Sequence, residues 1–370
     1  MELRAVELVE VWVRLKSEFE TSFGKTVERP AILVRVEERG GEEGWAEVVA
    51  DSGPWYSYET NETAWHVIRD FIVPSLKGDV SPRGFGALVS RIRGHNMAKA
   101  GVEMALWDLE ARLNSRPLWR HLGGVRRDIL SGVSVGIQPS VEQLVRVVSG
   151  YLEQGYGRIK IKIKPGYDVE PVRALRRAFG DGLRLQVDAN GAYTLSDIEV
   201  FRELDKYDLL MIEQPLGWRD LVDHAELARH LRTPICLDES IQDADDARKA
   251  YQLGSAAILN VKPARVGGLS ETLRIHDFWY SVAGRGMWIG GMLETGVGRG
   301  HLVAAATLPG VKYHNDISAS DRYYEEDIVE PPWTLNKDGT ITAPERPGIG
   351  VEVLTDKIYK MAKRRLTLKP

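Results

Sequence analysis

The chain has 370 residues, 43 % of them apolar, enough for one large domain with a substantial core plus a smaller one. Its formal net charge of -4, from 49 basic and 53 acidic residues, excludes the basic surface typical of nucleic-acid-binding proteins. The single cysteine, Cys236, excludes an intrachain disulfide. Because the sequence shows neither a signal peptide nor an apolar run of about 18 residues, we expect a cytoplasmic protein that does not enter the membrane.

The N-terminal third predicts antiparallel strands followed by helices. The expected strands are at 2–14, 31–37 and 44–50, and the helices lie between 63 and about 113. A polar loop at 19–26 and an aromatic-rich loop at 51–60 are either lids over a site or ordinary surface turns. We expect residues 1–124 to form an α+β capping domain.

From residue 125 onward, short apolar strands alternate with amphipathic helices. Eight strand ends are predicted, at Gly136, Lys162, Asp188, Glu213, Asp238, Lys262, Gly290 and Asp316. From Lys162 onward they are 24 to 28 residues apart, the length of one strand, one helix and two loops. This spacing predicts an α/β fold with a β/α barrel over 125–316, and we expect residues 317–370 to return to the cap. A doubly wound open sheet is the alternative, but the first strand is not followed by a Gly-rich phosphate turn.

The strand-like stretch RIKIKIKPG, residues 158–166, carries lysines at alternate positions. Lys160, Lys162 and Lys164 therefore share one face, and isoleucines occupy the other. Since a parallel sheet is covered on both faces, we expect Lys160 and Lys162 to point into a dry interior. Lys164 is expected at the rim.

Carboxylates stand at three successive strand ends, at Asp188, Glu213 and Asp238. On a barrel these ends converge, and three close carboxylates cannot all stay ionised without a cation. Oxygen ligands of this kind suit Mg²⁺, or Mn²⁺ or another divalent cation. Asn190 and Glu239 are candidates to orient these ligands, although any one of these residues alone could be a helix cap or a loop charge.

Lys162 and Lys262 fall on the two strands that flank the carboxylates. A closed barrel places their amines on opposite sides of one bound substrate, as acid and base. We expect the dry site and nearby cations to lower the pKa of these amines. The alternative is that each lysine is a solvated side chain.

Five motifs in order resemble the enolase superfamily, in its muconate-lactonising subgroup: KIK at 160–162, VDAN at 187–190, IEQPL at 212–216, LDES at 237–240 and NVKP at 260–263. More narrowly, GVSVGIQPS, KPARVGG, GGMLETGVGR and SASDRYYEEDI resemble the o-succinylbenzoate synthases that also act as N-succinylamino acid (N-acylamino acid) racemases. The resemblance spans almost the whole chain.

The resemblance implies a (β/α)7β barrel with a capping domain and a reaction that begins with removal of a proton α to a carboxylate. Asp188, Glu213 and Asp238 are then the Mg²⁺ ligands, and Lys162 is the acid/base, with Lys160 beside it to lower its pKa. In dehydration of 2-succinyl-6-hydroxy-2,4-cyclohexadiene-1-carboxylate, a step toward menaquinone, Lys262 stabilises the enediolate. In racemisation the two lysines exchange roles. The resemblance also implies a homo-oligomer, a dimer or an octamer.

The substrate pocket is also assigned by resemblance. Its expected residues are Ser134, Gly290, Gly291, Met292 and Leu293 from the barrel, Phe23 and Tyr56 from the cap loops, Tyr323 from the C-terminal segment, and Arg265, which resembles an arginine of racemase-competent members. The alternative for the aromatic residues is hydrophobic packing between cap and barrel, and the alternative for Arg265 is a charge at a helix start or at the rim.

Other functions stay open at this point. A muconate cycloisomerase shares the main motifs. A dipeptide epimerase usually carries D-x-D at the eighth strand end, whereas here Asp316 is followed by Ser318. A non-catalytic binding protein on this fold would be expected to lack a ligand or a lysine, and none is missing.

Overall fold

The structure is a computed structural model that describes residues 1–370. Its strands are β1 Leu3–Thr21, β2 Gly24–Glu38, β3 Glu43–Val48, β4 Asp128–Leu130, β5 Val133–Val135, β6 Ile159–Lys162, β7 Leu185–Asp188, β8 Ile212–Glu213, β9 Ile235–Leu237, β10 Ile258–Val261, β11 Met287–Ile289, β12 Val329–Glu330, β13 Thr340–Thr342, β14 Glu352–Val353 and β15 Ala362–Leu368. Its α-helices are α1 Asn61–Val67, α2 Pro82–Leu88, α3 Asn96–Leu113, α4 Leu118–His121, α5 Val141–Glu153, α6 Val169–Phe179, α7 Ile198–Leu204, α8 Val222–Ala228, α9 Ala244–Leu253, α10 Pro263–Val266, α11 Leu269–His276, α12 Gly296–Ala306 and α13 Thr355–Met361. None of the helices is both long enough and apolar enough to span a bilayer.

The cap contains a four-stranded antiparallel sheet in the order β15-β1-β2-β3. Strands β1 and β2 form one long hairpin whose last pair is Thr21 with Gly24, so most of the loop predicted at 19–26 is strand. The register shifts between Arg14 and Phe19, and an irregularity of this kind bends a hairpin. The hairpin tip thereby reaches the barrel, where Ile137 N–H donates to Glu20 O at 2.9 Å.

The C-terminal segment contributes the edge strand of the cap sheet. Strand β15 pairs with β1 from Val6 with Leu368 to Val11 with Ala362. The exact domain boundaries predicted at 124 and 316 stay a prediction.

Seven parallel strands form the barrel sheet, in the order β11-β10-β9-β8-β7-β6-β5. The predicted eighth strand is wrong as a regular strand, because the segment before Asp316 makes only isolated bridges, Val311 with Met287 and Asn315 with Ser131. These bridges connect the segment to both edges of the seven-stranded sheet. At the β11 edge Asp316 N–H donates to Ile289 O at 2.9 Å, and next to the β5 edge Gly132 N–H donates to Asn315 O at 2.8 Å. The sheet is therefore closed, and the predicted β/α barrel with an α+β cap is confirmed.

Helix α3 joins the cap sheet to the barrel and is buried along most of its length. Glycines permit the close contact with β3, because a Cβ at Gly101 would collide with Val48 and one at Gly44 would collide with the α3 backbone. At the same contact the Asp108 carboxylate accepts hydrogen bonds from Trp45 N–H at 2.9 Å and from Ile349 N–H at 2.7 Å. One buried carboxylate thus connects the helix, the sheet and the C-terminal segment.

Replacement of Asp108 by alanine should lower the free energy of unfolding by about 3 kcal/mol, because buried donors lose their charged acceptor. Urea denaturation of Asp108→Ala measures the change. The control is Asp181→Ala at an exposed turn, for which less than about 0.5 kcal/mol is expected. An Asp108 variant as stable as the control would contradict this account of the interface.

Candidate active site

The barrel strands present polar side chains to one chamber at their C-terminal ends. Because side chains alternate along a strand, Lys160 and Lys162 share the inner face of β6, and Gln186 and Asp188 share that of β7. A cavity lies between these strand ends and the β1–β2 hairpin. It is lined by Phe19, Thr21, Phe23, Thr26, Arg29, Val49, Asp51, Tyr56, Ser134, Lys160, Lys162, Asn190, Lys262, Gly291, Met292, Leu293, Asp316 and Tyr323.

Lys160 is buried among three carboxylates. Its Nζ lies 3.3 Å from Asp188 Oδ2, 3.1 Å from Glu213 Oε2 and 3.1 Å from Asp316 Oδ2. Burial alone would lower the pKa of Lys160, but the charges of Asp316, Glu213 and Asp188 raise it well above its ordinary value. The ammonium of Lys160 therefore compensates buried negative charge.

Lys162 is the last residue of β6, the strand that also carries Lys160. Its Nζ donates to Asp188 Oδ2 at 2.6 Å and to Asn190 Oδ1 at 2.8 Å. Asn190 in turn donates from Nδ2 to Glu239 Oε1 at 2.9 Å. Asn190 and Glu239 thus form one hydrogen-bonded chain with Lys162. Their expected role in orienting the metal ligands stays a prediction.

Lys262 directly follows β10 and faces the chamber, and β10 is three strands away from β7 in the sheet. Its Nζ lies 2.9 Å from Asp238 Oδ2 and 3.2 Å from the Tyr56 hydroxyl, which donates to Asp238 Oδ1 at 2.9 Å. Arg265 also contacts Asp238 and donates to Asn260 O at 2.7 Å, so it lies behind the carboxylate. Asp238 is held by a lysine, an arginine and a cap tyrosine.

The pKa shifts of the buried carboxylates and of Lys262 differ in direction. Burial raises the pKa of Glu213 to about 7 and that of Glu239 to about 8, each with help from a neighbouring carboxylate. Burial would also raise the pKa of Asp238, but Lys262 and Arg265 hold it well below its usual range. The expected lowering is wrong for Lys262, because Asp238 outweighs burial and raises its pKa.

The carboxylates are not preassembled as a metal cluster, since no three acidic, histidine or cysteine side chains converge on one point. Lysine ammonium groups lie against their oxygens instead. The donor chemistry nevertheless suits a hard cation, because all three predicted ligands are buried carboxylates. In addition, Glu239 Oε2 is buried and accepts no hydrogen bond. The residues present therefore fit a divalent cation.

The structure brings most of the predicted site residues together. Ser134, Gly291, Met292, Leu293, Phe23, Tyr56 and Tyr323 line the chamber with the two lysines. Gly290 and Arg265 do not line it. Gly290 instead makes room for Asn260, whose Oδ1 a Cβ would strike, and Arg265 contacts Asp238 from behind.

Several residues of the site were not identified from the sequence. Gln186 and Asn260 hold the Glu213 carboxylate, each donating from its amide at 2.7 Å. They lie two positions before Asp188 and Lys262, so the strand period alone could have indicated them. Asp316, predicted only as a strand end, holds Lys160 and accepts from Ser134 Oγ at 2.7 Å. No local pattern pairs these distant residues.

Residues 3–123 match the mandelate racemase / muconate lactonizing enzyme N-terminal domain, and residues 143–357 match the enolase C-terminal domain-like family. The o-succinylbenzoate synthase of Geobacillus stearothermophilus is 50 % identical over 343 residues, covering 92 % of this chain and 91 % of that protein. The N-succinylamino acid racemase of Amycolatopsis sp is 47 % identical over 369 residues, covering 97 % and 99 %. A solved enolase-superfamily structure from Listeria innocua Clip11262 has a TM-score of 0.95 at 38 % identity, covering 100 % and 99 %.

The chain therefore belongs to the enolase superfamily of enzymes, in the mandelate racemase and muconate lactonizing enzyme family. Within that family it is similar to o-succinylbenzoate synthases and N-succinylamino acid racemases, and the resemblance read from the motifs is confirmed. Enzymes of this superfamily use a divalent metal.

Removal of the buried ammonium should destabilise the barrel, because Lys160→Met leaves carboxylates uncompensated in a dry interior. We expect a loss of about 3 kcal/mol at pH 8 and a smaller loss at pH 5. The loss is larger at pH 8 because carboxylates without a counter-charge have raised pKa values in the folded variant. Its stability therefore falls as the pH rises. Urea denaturation at both pH values measures it, without added metal.

The matched control is Lys164→Met, in which a lysine near the end of the same strand is lost. The Lys164 side chain is 39 % exposed and pairs only with Glu20, so we expect a loss below about 1 kcal/mol at either pH. Equal losses in the two variants would mean that Lys160 does not carry the compensating charge.

Proposed function

We propose that the chain is a Mg²⁺-dependent o-succinylbenzoate synthase that also racemises N-succinylamino acids. The observation that carries the proposal is the placement of Lys162 and Lys262 in one chamber, on strands that flank the three carboxylate-bearing strand ends. The similarity to both synthases and racemases supports the pair of reactions. We also propose that the protein acts in the cytoplasm, since its only cysteine is buried and unpaired. The expected dimer or octamer stays a prediction.

Asp188, Glu213 and Asp238 would hold the cation. When bound, Mg²⁺ supplies positive charge that stabilises the carboxylate of the substrate as it gains electrons. Glu213 must lose the proton favoured by its raised pKa before it can ligate, so cation binding is expected to release protons near neutral pH.

In the dehydration, neutral Lys162 takes the α-proton of the cyclohexadiene substrate, and the C–H electrons form the enediolate. The enediolate then expels hydroxide, to which Lys162 returns the proton, so that water leaves and the ring becomes aromatic. Lys262, as a cation on the other side, stabilises the negative charge. Asn190 holds the Lys162 ammonium by its hydrogen bond at 2.8 Å.

In racemisation the same enediolate forms from an N-succinylamino acid. One lysine removes the α-proton from its face, and the other lysine donates a proton to the opposite face. The reverse reaction exchanges these roles, so each lysine must be able to hold or release a proton. The dehydration needs a base on one side only, and this difference separates the two reactions experimentally.

Proton NMR in D₂O with Mg²⁺ tests the proposal, with the synthase substrate and each enantiomer of N-succinyl-phenylalanine followed separately. The wild type should aromatise the diene and introduce deuterium into both enantiomers. Lys162→Ala should abolish both reactions, a loss of at least about 10²-fold. Lys262→Ala should stop racemisation.

Lys164→Ala is the matched control and should keep both activities, since Lys164 lies outside the chamber lining. Dehydration by the Lys162 variant would remove that residue from the base role. Exchange of both enantiomers by the Lys262 variant would contradict the two-sided arrangement.

Asp238→Asn should weaken Mg²⁺ binding on the order of tenfold or more, because one anionic ligand is lost and even outer partners of metal ligands carry effects of that size. Isothermal titration calorimetry measures the affinity independently of turnover, and Asp181→Asn serves as the control. Unchanged affinity would exclude Asp238 from the ligand set.

A further inference from the structure

A group of buried charged side chains joins the cap to the barrel beside the lysine chamber. Glu47 of β3 is completely buried, and its carboxylate forms an ion pair with Arg29 of β2. The same carboxylate accepts hydrogen bonds from the barrel through Oε2: from Thr295 N–H at 3.0 Å, from Thr295 Oγ1 at 2.6 Å and from Gly298 N–H at 3.2 Å. A side chain of the cap therefore holds the first turn of α12.

Helix α12 needs a partner at its start because all eleven of its residues are buried. The first N–H groups of a helix have no partner within the helix, and water does not reach this one. Thr295 precedes the helix, but its hydroxyl donates to Glu47 and does not cap the helix itself. A Cβ at Gly298 would lie 2.8 Å from Glu47 Oε2, so the two parts are in close contact. The position of α12 therefore depends on Glu47.

The loop directly before α12 carries chamber residues in a strained conformation. Gly291, Met292 and Leu293 line the chamber. Leu293 has a φ of 60°, which is unfavourable for a residue of its size and persists only where the surroundings hold it. Here Glu294 Oε2 accepts a hydrogen bond from Met292 N–H at 2.7 Å, and the Tyr324 hydroxyl contacts Leu293 O. Because the loop runs directly into α12, its shape depends on the position of that helix.

This loop borders one of the two proposed acid/base groups. Met292 Sδ lies 3.4 Å from Lys262 Nζ. Lys162, on the other side of the chamber, is held instead by Asp188 and Asn190, which do not belong to the loop. A shift of the loop therefore changes the surroundings of one lysine and leaves the contacts of the other in place.

We infer that Glu47 is a positioning residue for the Lys262 side of the reaction. By holding the start of α12 against the cap, it fixes the loop at 290–294, and this loop sets the position from which the Lys262 amine exchanges a proton with the α-carbon. The inference rests on the proposed function. It gives a strand of the cap a part in proton transfer on one face of the substrate, although Glu47 itself does not touch the substrate.

The test follows deuterium exchange at the α-carbon of each enantiomer of N-succinyl-phenylalanine, with the Mg²⁺-loaded enzyme in D₂O. Lys262→Ala identifies the two faces, because the enantiomer that still exchanges in this variant is the one that Lys162 deprotonates. In Glu47→Gln the new NH₂ group faces either Arg29 or the donors of α12, so the contact is weakened. Exchange of the Lys262-side enantiomer should then fall at least about fivefold more than exchange of the other, since small displacements of a catalytic group lower rates strongly.

Glu43→Gln is the matched control, since Glu43 lies on the same strand and also pairs with an arginine, Arg35, at 2.8 Å, but is half-exposed. It should keep the wild-type ratio of the two exchange rates. Two variants of Thr295 test the same contact without changing a charge. Thr295→Val loses the hydroxyl that donates to Glu47 and should shift the ratio in the same direction as Glu47→Gln. Thr295→Ser keeps the hydroxyl and should keep the ratio, and this pair decides the outcome if Glu47→Gln does not fold.

Two kinds of failure are distinguishable. If the wild type exchanges neither enantiomer, the proposed function is wrong and the inference fails with it. If the wild type exchanges both, and Thr295→Val or Glu47→Gln loses both exchange rates equally or neither, the proposed function stands and the inference is wrong. An equal loss would mean that Glu47 supports the fold as a whole and not one side of the chamber.

Discussion

The structure depends on the compensation of negative charge inside a closed barrel. Asp188, Glu213 and Asp238 are fully buried, and an isolated carboxylate in such a place would protonate or destabilise the fold. Lys160 and Lys262 supply the opposite charge from within the same sheet. The lysines that compensate the buried carboxylates are thus neighbours of, or identical with, the groups proposed for catalysis.

The cap completes this arrangement from outside the barrel. The β1–β2 hairpin brings Phe19 and Phe23 over the chamber, and the loop after β3 brings Tyr56 to Asp238. Residues from both domains therefore surround the same volume. Buried hydrogen bonds to Asp108 join helix α3 to the cap sheet and to the C-terminal segment.

Local sequence patterns were sufficient to predict the barrel and the placement of its lysines and carboxylates. Alternation predicted the inward direction of Lys160 and Lys162, and regular spacing predicted the carboxylates at strand ends, because both properties follow from backbone geometry over a few residues. The long hairpin and the irregular segment before Asp316 were not predicted, since they depend on contacts with distant parts of the chain. The pKa direction of Lys262 was also missed.

The raised pKa of Lys262 has a specific cause. Burial and neighbouring charge act on an amine in opposite directions, and only distances decide which prevails. For Lys262 the carboxylate of Asp238 lies 2.9 Å away, so the charge prevails. The sequence places the two residues on adjacent strands but does not give this distance.

Within four residues, the loop after β3 combines a side chain that is held by the barrel with side chains that are exposed. The hydroxyl of Tyr56 is held by Asp238 and Lys262. On either side of it in the sequence, Trp55 is 63 % exposed and Tyr58 is 46 % exposed. Position 56 is therefore constrained by the chemistry of the barrel, and positions 55 and 58 are not. Substitutions at 55 and 58, with 56 kept as tyrosine, therefore change the exposed surface of this loop and leave the contacts of Tyr56 with Asp238 and Lys262 in place.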